Sequence, residues 1–221
     1  MKAALFDLDG LLIDSEPLWE EAEISVFDRY GMTLTPAICQ KMKGFRVDES
    51  IRYVLKLFGV DKPVDPLQIE REILAQVKQL INIKGRGMPG FVYIIHFFKS
   101  RGLKIALASS SKLEIINEAL NKLGVIQHFD AICSAENEPY GKPHPGIFLS
   151  AARALDVEPD ECIVFEDSLN GIIAAKAARM KAVLVPDKTL TGDLRIAIAD
   201  LELKSLLGFK EEHIRRLTEE R

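Results

Sequence analysis

Cysteine is scarce in this chain: three in 221 residues, at positions 39, 133 and 162, odd in number, far apart and without a CxxC pair. A disulfide framework and a thiolate zinc site are excluded as organising features, and Cys39, Cys133 and Cys162 read as buried thiols in a reducing compartment. Cationic excess is missing too. With 29 Lys and Arg against 33 Asp and Glu, the chain carries a net charge of −4 and no field that would draw in a nucleic-acid backbone. Long apolar runs are lacking: no stretch approaches the ~20 residues of a membrane helix, and the run after Met1-Lys2 is too short for a secretory signal. The expectation is a cytoplasmic protein with neither nucleic acid nor membrane as partner.

Short apolar runs rich in β-branched residues recur at 2–6, 104–108, 131–133, 162–165 and 182–185. Between the later ones, apolar side chains fall at helical spacing over 112–123 (Ile116, Ala119, Leu120, Leu123), 145–155 and 169–178. Strand and helix in alternation predict a parallel sheet covered on both faces. Between the first strand and Lys104 the pattern changes: residues 17–30, 36–43, 47–58 and 66–82 read as amphipathic helices with turn signals at Gly31, Gly44, Gly59 and Pro63, and no strand interrupts them. An α/β Rossmann-like core over 1–14 and 89–221, with a small helical cap over 15–88, is therefore expected. Gly85, Gly87, Pro89 and Gly90 read as its hinge, and Lys210–Arg221 as a charged, solvated end.

Four polar segments follow predicted strand ends: Asp7-Leu8-Asp9, Ser109-Ser110-Ser111-Lys112, Gly141-Lys142-Pro143 and Glu166-Asp167-Ser168. The carboxyl ends of parallel strands line one crevice, so these segments converge. Their chemistry is complementary. Asp7, Asp9, Glu166 and Asp167 offer the hard oxygen ligands that Mg²⁺ takes, Lys142 adds a fixed cation, and Ser109 adds a hydroxyl beside a helix N-terminus. Together they describe a phosphoryl-transfer site.

With all four segments in order, the chain resembles the haloacid dehalogenase superfamily of phosphohydrolases. The stretches DSEPLW and SKLEIINEAL, with the early helical insertion, resemble its β-phosphoglucomutase-like group, nearest the 2-deoxyglucose-6-phosphate and hexitol-phosphate phosphatases. The resemblance implies that Asp7 is the nucleophile, forming an aspartyl-phosphate, and that Asp9 is the general acid and base. It implies that Ser109 and Lys142 hold the phosphoryl oxygens. Mg²⁺ would then lie against Asp7, the Asp9 carbonyl, Asp167 and Glu166. Gly10, Trp19, Arg46, Ser110 and Lys112 are implied near the substrate, with Lys78 a further candidate. Trp19 stands where the mutase relatives carry a histidine, a departure that favours hydrolysis over phosphosugar transfer.

The expected function is a Mg²⁺-dependent phosphatase, acting as a monomer on small sugar or polyol phosphates. A mutase, or a catalytically silent phospho-ligand-binding protein, is the alternative. A metal-free dehalogenase would have no use for Asp9 or the Glu166-Asp167 pair. For several neighbours a structural role competes: Asp14 as a helix cap, Ser111 as a helix start, Asn170 and Gly171 as a cap, and Glu136 or Glu138 as a partner for Lys142 or a surface position.

Overall fold

The apolar alternation along the first strand has two sheet faces to serve, and it serves both. In the computed structural model, which describes residues 1–59, 64–190 and 192–219, β1 (Ala3–Phe6) is wholly buried. Four helices follow it: α1 (Glu16–Arg29), α2 (Pro36–Met42), α3 (Val47–Phe58) and α4 (Pro66–Lys84). Then come α5 (Phe91–Lys99), β2 (Lys104–Ser109), α6 (Leu113–Leu123), β3 (Ala131–Ser134), α7 (Gly146–Ala154), β4 (Cys162–Glu166), α8 (Leu169–Ala177), β5 (Lys181–Leu184), β6 (Leu201–Glu202) and α9 (Glu211–Glu219). All strand pairs are parallel, in the order β3-β2-β1-β4-β5-β6. The order reverses between β1 and β4, so the crevice for ligands opens at their carboxyl ends.

Ala4, Phe6, Ile105, Leu107, Ile163 and Phe165 face one apolar cluster, while Ala3, Leu5, Ala106, Ala108, Val164 and Ala182 face another. This is the two-residue period of a strand buried on both sides. The first cluster runs on without a break into the helical insertion through Leu18, Val26, Ile51, Ile73 and Val77. Inside the insertion, helix ends follow local chemistry. Asp65 caps α4 by accepting from the Leu67 N–H at 2.9 Å, Pro66 supplies the first turn, and α3 ends at Gly59 with φ +56°.

Several sequence expectations need amendment. The run FVYIIHFF was given no element and forms α5, because an apolar stretch without a clean period does not declare helix or strand on its own. Its Phe98 packs edge-on to Phe6 and Phe165, whose rings stack at 5.1 Å. Strand β6, two residues long, also went unforeseen. The charged end forms α9 and buries Leu217, so it is docked rather than fully solvated. Pro63 lies outside the described residues.

The expected glycine hinge is bonded into a narrow ribbon: Asp14 N–H donates to Arg86 O at 2.9 Å, Met88 N–H to Leu12 O at 2.9 Å, and Ile13 bridges Gly87. Gly85 and Gly87 are there for close approach, since a Cβ would overlap the Ile81 carbonyl oxygen and the Phe91 ring. No helix among the described residues is long and apolar enough to cross a membrane.

Candidate active site

Pairing Phe6 with both Leu107 and Phe165 brings the ends of β2 and β4 level with Asp7. Residues separated by a hundred positions meet there without any loop having to reach. Lys142, delivered by the turn before α7, places its ammonium 2.5 Å from Asp7 Oδ1, 2.5 Å from Glu166 Oε1 and 3.2 Å from the Ala108 carbonyl oxygen. All three side chains are buried. Burial pushes the Asp7 carboxyl upward from its ordinary range, with Lys142 pulling it back and the charges of Glu166 and Asp9 adding to the rise. Burial likewise works to lower Lys142, but Asp7 and Glu166 outweigh it and hold the ammonium charged.

Glu166 is fully satisfied: its second oxygen accepts from the N–H groups of Asp167 and Ser168 at 3.2 Å each and from the Ser168 hydroxyl at 2.9 Å. Asp167 is not. Its Oδ2 is buried with no hydrogen-bond partner; the nearest cation, Lys43, stands 3.9 Å away. Burial first, then the charges of Glu166, Asp7 and Glu16, drive the Asp167 carboxyl well above its usual range. Oxygens of Asp7, Glu166 and Asp167 lie within 4.8 Å of one another. A buried carboxylate oxygen without a donor, beside two more acids, fits a hard divalent cation, so these residues fit Mg²⁺. Gly10, at φ +76°, lets the chain pass beside it; a Cβ there would overlap the same Asp167 oxygen.

Asp9 has a different environment. Its Oδ1 accepts from the Ser15 hydroxyl at 2.5 Å and the Trp19 indole N–H at 3.0 Å, and its Oδ2 from the Ser111 hydroxyl at 2.7 Å and, more loosely, from Ser109 at 3.4 Å. Ser15 sits at the N-cap of α1 but makes no side-chain cap bond, having spent its hydroxyl on Asp9. No cation pairs with Asp9 among the described residues. Two carboxylates two positions apart thus stand in unlike settings, one against a buried lysine and one among neutral donors.

Of the expected residues, Asp7, Asp9, Trp19, Ser109, Ser110, Lys112, Lys142, Glu166 and Asp167 all line one cavity of about 400 Å³. The Ser110 hydroxyl is buried in its wall with no partner. Lys112 lines it too, while its ammonium pairs with Glu70 of α4. Arg46 is turned elsewhere: its guanidinium grips Asp48 and donates to the carbonyl oxygens of Ala135 (3.2 Å) and Glu138 (2.8 Å). Lys78 lies on the outside, 3.4 Å from Glu118. Asp14 is exposed and does not cap α1, His144 accepts from the Gly146 N–H, and Glu136 accepts from the Leu113 N–H rather than meeting Lys142.

Sequence reasoning passed over Lys43, Glu16 and Asp187, and gave Ser15 no role. Lys43 reaches in from the end of α2, 2.8 Å from Asp187. Lys43, rather than Arg46 three residues on, lines the cavity. The signal was present: Gly44, φ +76°, packs against Ser168, so the residue before it is carried toward the β4 loop. Burial pushes the Glu16 carboxyl up to about 8, against the pull of Lys43.

The fold and the site together define a Rossmann-like α/β enzyme whose crevice suits a phosphoryl group. A family profile described as haloacid dehalogenase-like hydrolase matches residues 1–179, and the chain belongs to that family. It is a phosphatase of the β-phosphoglucomutase-like group. Among curated relatives, hexitol phosphatase B of Escherichia coli is 37% identical over 208 residues, 92% of either chain. The phosphorylated carbohydrates phosphatase of Thermotoga maritima is 30% identical over 183 residues, 83% of this chain and 84% of that one. The β-phosphoglucomutase structure from Clostridium difficile superposes with a TM-score of 0.88 at 29% identity, covering 99% and 98% of the two chains.

Proposed function

We propose that this phosphatase hydrolyses small sugar or polyol monophosphates of the hexose or hexitol 6-phosphate type, through an aspartyl-phosphate on Asp7 and with Mg²⁺. The observation carrying this is the buried Lys142 shared between Asp7 and Glu166 beside the unbonded Asp167 oxygen, all opening on a small-molecule cavity. The names of the hexitol and carbohydrate phosphatases support the substrate class.

In this reading the Asp7 carboxylate attacks phosphorus as the alcohol leaves, and Asp9 gives that alcohol its proton. Water then opens the aspartyl-phosphate, returning its proton to Asp9. Lys142, Ser109 and Ser110 offset charge on the equatorial oxygens of the transferring phosphoryl group. Asp7, Asp167 and the Asp9 carbonyl would hold Mg²⁺, with Glu166 bracing Lys142; the ion supplies charge neutralisation and orientation of the phosphoryl group. The helices over 16–84 act as the cap that keeps bulk water out. A phosphosugar mutase is the reading that likeness to β-phosphoglucomutase raises, and the Trp19 indole against Asp9 weighs against it.

Phosphate release across sugar, polyol and nucleotide monophosphates with Mg²⁺, wild type beside Asp7→Asn, tests the proposal. Release from one hexose or hexitol phosphate, lost in Asp7→Asn, is expected. Release from none of them, or an unimpaired mutant, overturns it.

A further inference from the structure

From α1, the residues Glu16, Trp19, Glu20 and Glu23 all line the cavity. Their spacing of three, four and seven residues puts them on one helical face, so the helix runs along the cavity wall. Its first turn lies at the phosphoryl end, where Trp19 touches Asp9. At 1.5 Å per residue, Glu23 stands about 6 Å further along the axis, the reach of an extended chain of several carbon atoms from the leaving oxygen.

The two ends of the cavity differ in charge. All three lysines in its wall are engaged: Lys142 with Asp7 and Glu166, Lys43 with Asp187, and Lys112 with Glu70. At the far end Glu23 is 7% exposed and, among the described residues, neither it nor Glu20 pairs with a lysine or arginine. Ser50, from α3, is buried in the same cavity wall, and its hydroxyl works against the rise of the Glu23 carboxyl. A carboxyl nine-tenths buried, aimed into a cavity and partnered only by a hydroxyl, lacks the donors that would make it a structural ion pair. Burial pushes it up to about 8, with the charge of Glu20 adding to the rise, so the environment favours the protonated form, which can both donate and accept.

We infer that Glu23 and Ser50 form a hydroxyl-recognition pair that selects an uncharged polyol leaving group and rejects one carrying a second phosphate or a carboxylate; this rests on the phosphatase reading above. A carboxyl and a serine hydroxyl in one wall offer the donors and acceptors that pair with the hydroxyls of a sugar or hexitol. A second anion would meet Glu20 with no cation to offset it. The same wall is unsuited to a mutase, whose transfer back to sugar must hold phosphate at both ends of one molecule.

The test compares kcat/KM for a hexitol monophosphate, a hexose bisphosphate and p-nitrophenyl phosphate in wild type, Glu23→Leu, Glu23→Gln and Ser50→Ala. The hexitol-to-aryl ratio is expected to fall about tenfold in Glu23→Leu and severalfold in Ser50→Ala, through KM, while Glu23→Gln, which keeps a donor and an acceptor, stays within about threefold of wild type. Wild type should prefer the monophosphate to the bisphosphate by about a hundredfold. Should Glu23→Leu fail to fold, Ser50→Ala decides alone. A selective wild type whose ratio is unmoved in the folded variants overturns the pair but leaves the phosphatase reading intact. A wild type that hydrolyses the aryl ester and no sugar or polyol phosphate overturns that reading first.

Discussion

Trp19 donates its indole N–H to Asp9 Oδ1 at 3.0 Å, so a side chain of the helical insertion holds a carboxylate of the strand-end loop. Trp19→Phe keeps the ring and removes the donor. Phosphate release is expected to lose roughly 5- to 10-fold in kcat, the worth of one ordinary hydrogen bond, with KM little changed. Asp9→Asn removes the proton carrier itself and should cost on the order of 10²–10⁴-fold. Steady-state release of phosphate distinguishes the two; equal losses would show that Trp19 does more than orient Asp9.

Lys142 answers two buried acids at once. Lys142→Met leaves Asp7 and Glu166 facing each other without a cation, and should lower unfolding free energy by about 3–5 kcal/mol in urea as well as abolish turnover. Loss of turnover with unchanged stability would place the ammonium's worth in catalysis alone.

Metal removal should act through the same cluster. Asp7 and Asp167 bind protons more tightly folded than unfolded, because burial raises both. Through the range between the ordinary carboxylate value and the raised one, the unfolded chain has released protons that the fold retains, so the metal-free protein loses stability as pH rises. Mg²⁺ competes with those protons and should therefore raise Tm more at pH 8 than at pH 5.5, while EDTA abolishes phosphate release. A Tm shift independent of pH would contradict this.

Glu23 gives a cleaner case of the same sign. Its carboxyl rises from 4.5 to about 8, with Glu20, Cys39 and Ser50 as the groups around it. Stability associated with this group is full below pH ~4 and falls as pH climbs towards 8. Glu23→Gln, which cannot ionise, should flatten part of that slope, by about one to a few kcal/mol across the range. Thermal melts from pH 5 to 8 check it, and parallel curves would sink the assignment.

Arg46 ties the turn before α3 to the carbonyl oxygens of Ala135 and Glu138, and Glu49 accepts from the Gly141 N–H at 3.3 Å, next to Lys142. Arg46→Ala should loosen the insertion over the cavity, raising KM several-fold and speeding hydrogen exchange over 135–142. Unchanged exchange there would mean that the other bridges suffice.

Much of this was legible in the residues. Each buried strand ran directly into its polar segment, so Asp7 and Glu166 could be placed at one crevice before any pairing was known. What stayed hidden was set by packing in three dimensions. Lys43 ends a helix whose inner face is set by Cys39 and Met42, and its partner Asp187 lies far along the chain, while Arg46 is drawn off by Asp48 and two carbonyls that no local pattern reveals. Ser15 was given no role, since the acceptor it prefers lies six residues back across the site. The apolar run of α5 could take either form until Phe6, Phe165 and Phe209 fixed it.

The ribbon joining Leu12, Ile13 and Asp14 to Arg86, Gly87 and Met88 has a consequence for how such a molecule diversifies. The chain departs the sheet and comes back through a single doorway, so the strand pairing itself does not depend on the length of what is strung between. What is strung there still shapes the site, because Ser15 and Trp19 reach down to Asp9. The sheet is then a separately inheritable part, while chemistry and selectivity stay coupled within one polypeptide.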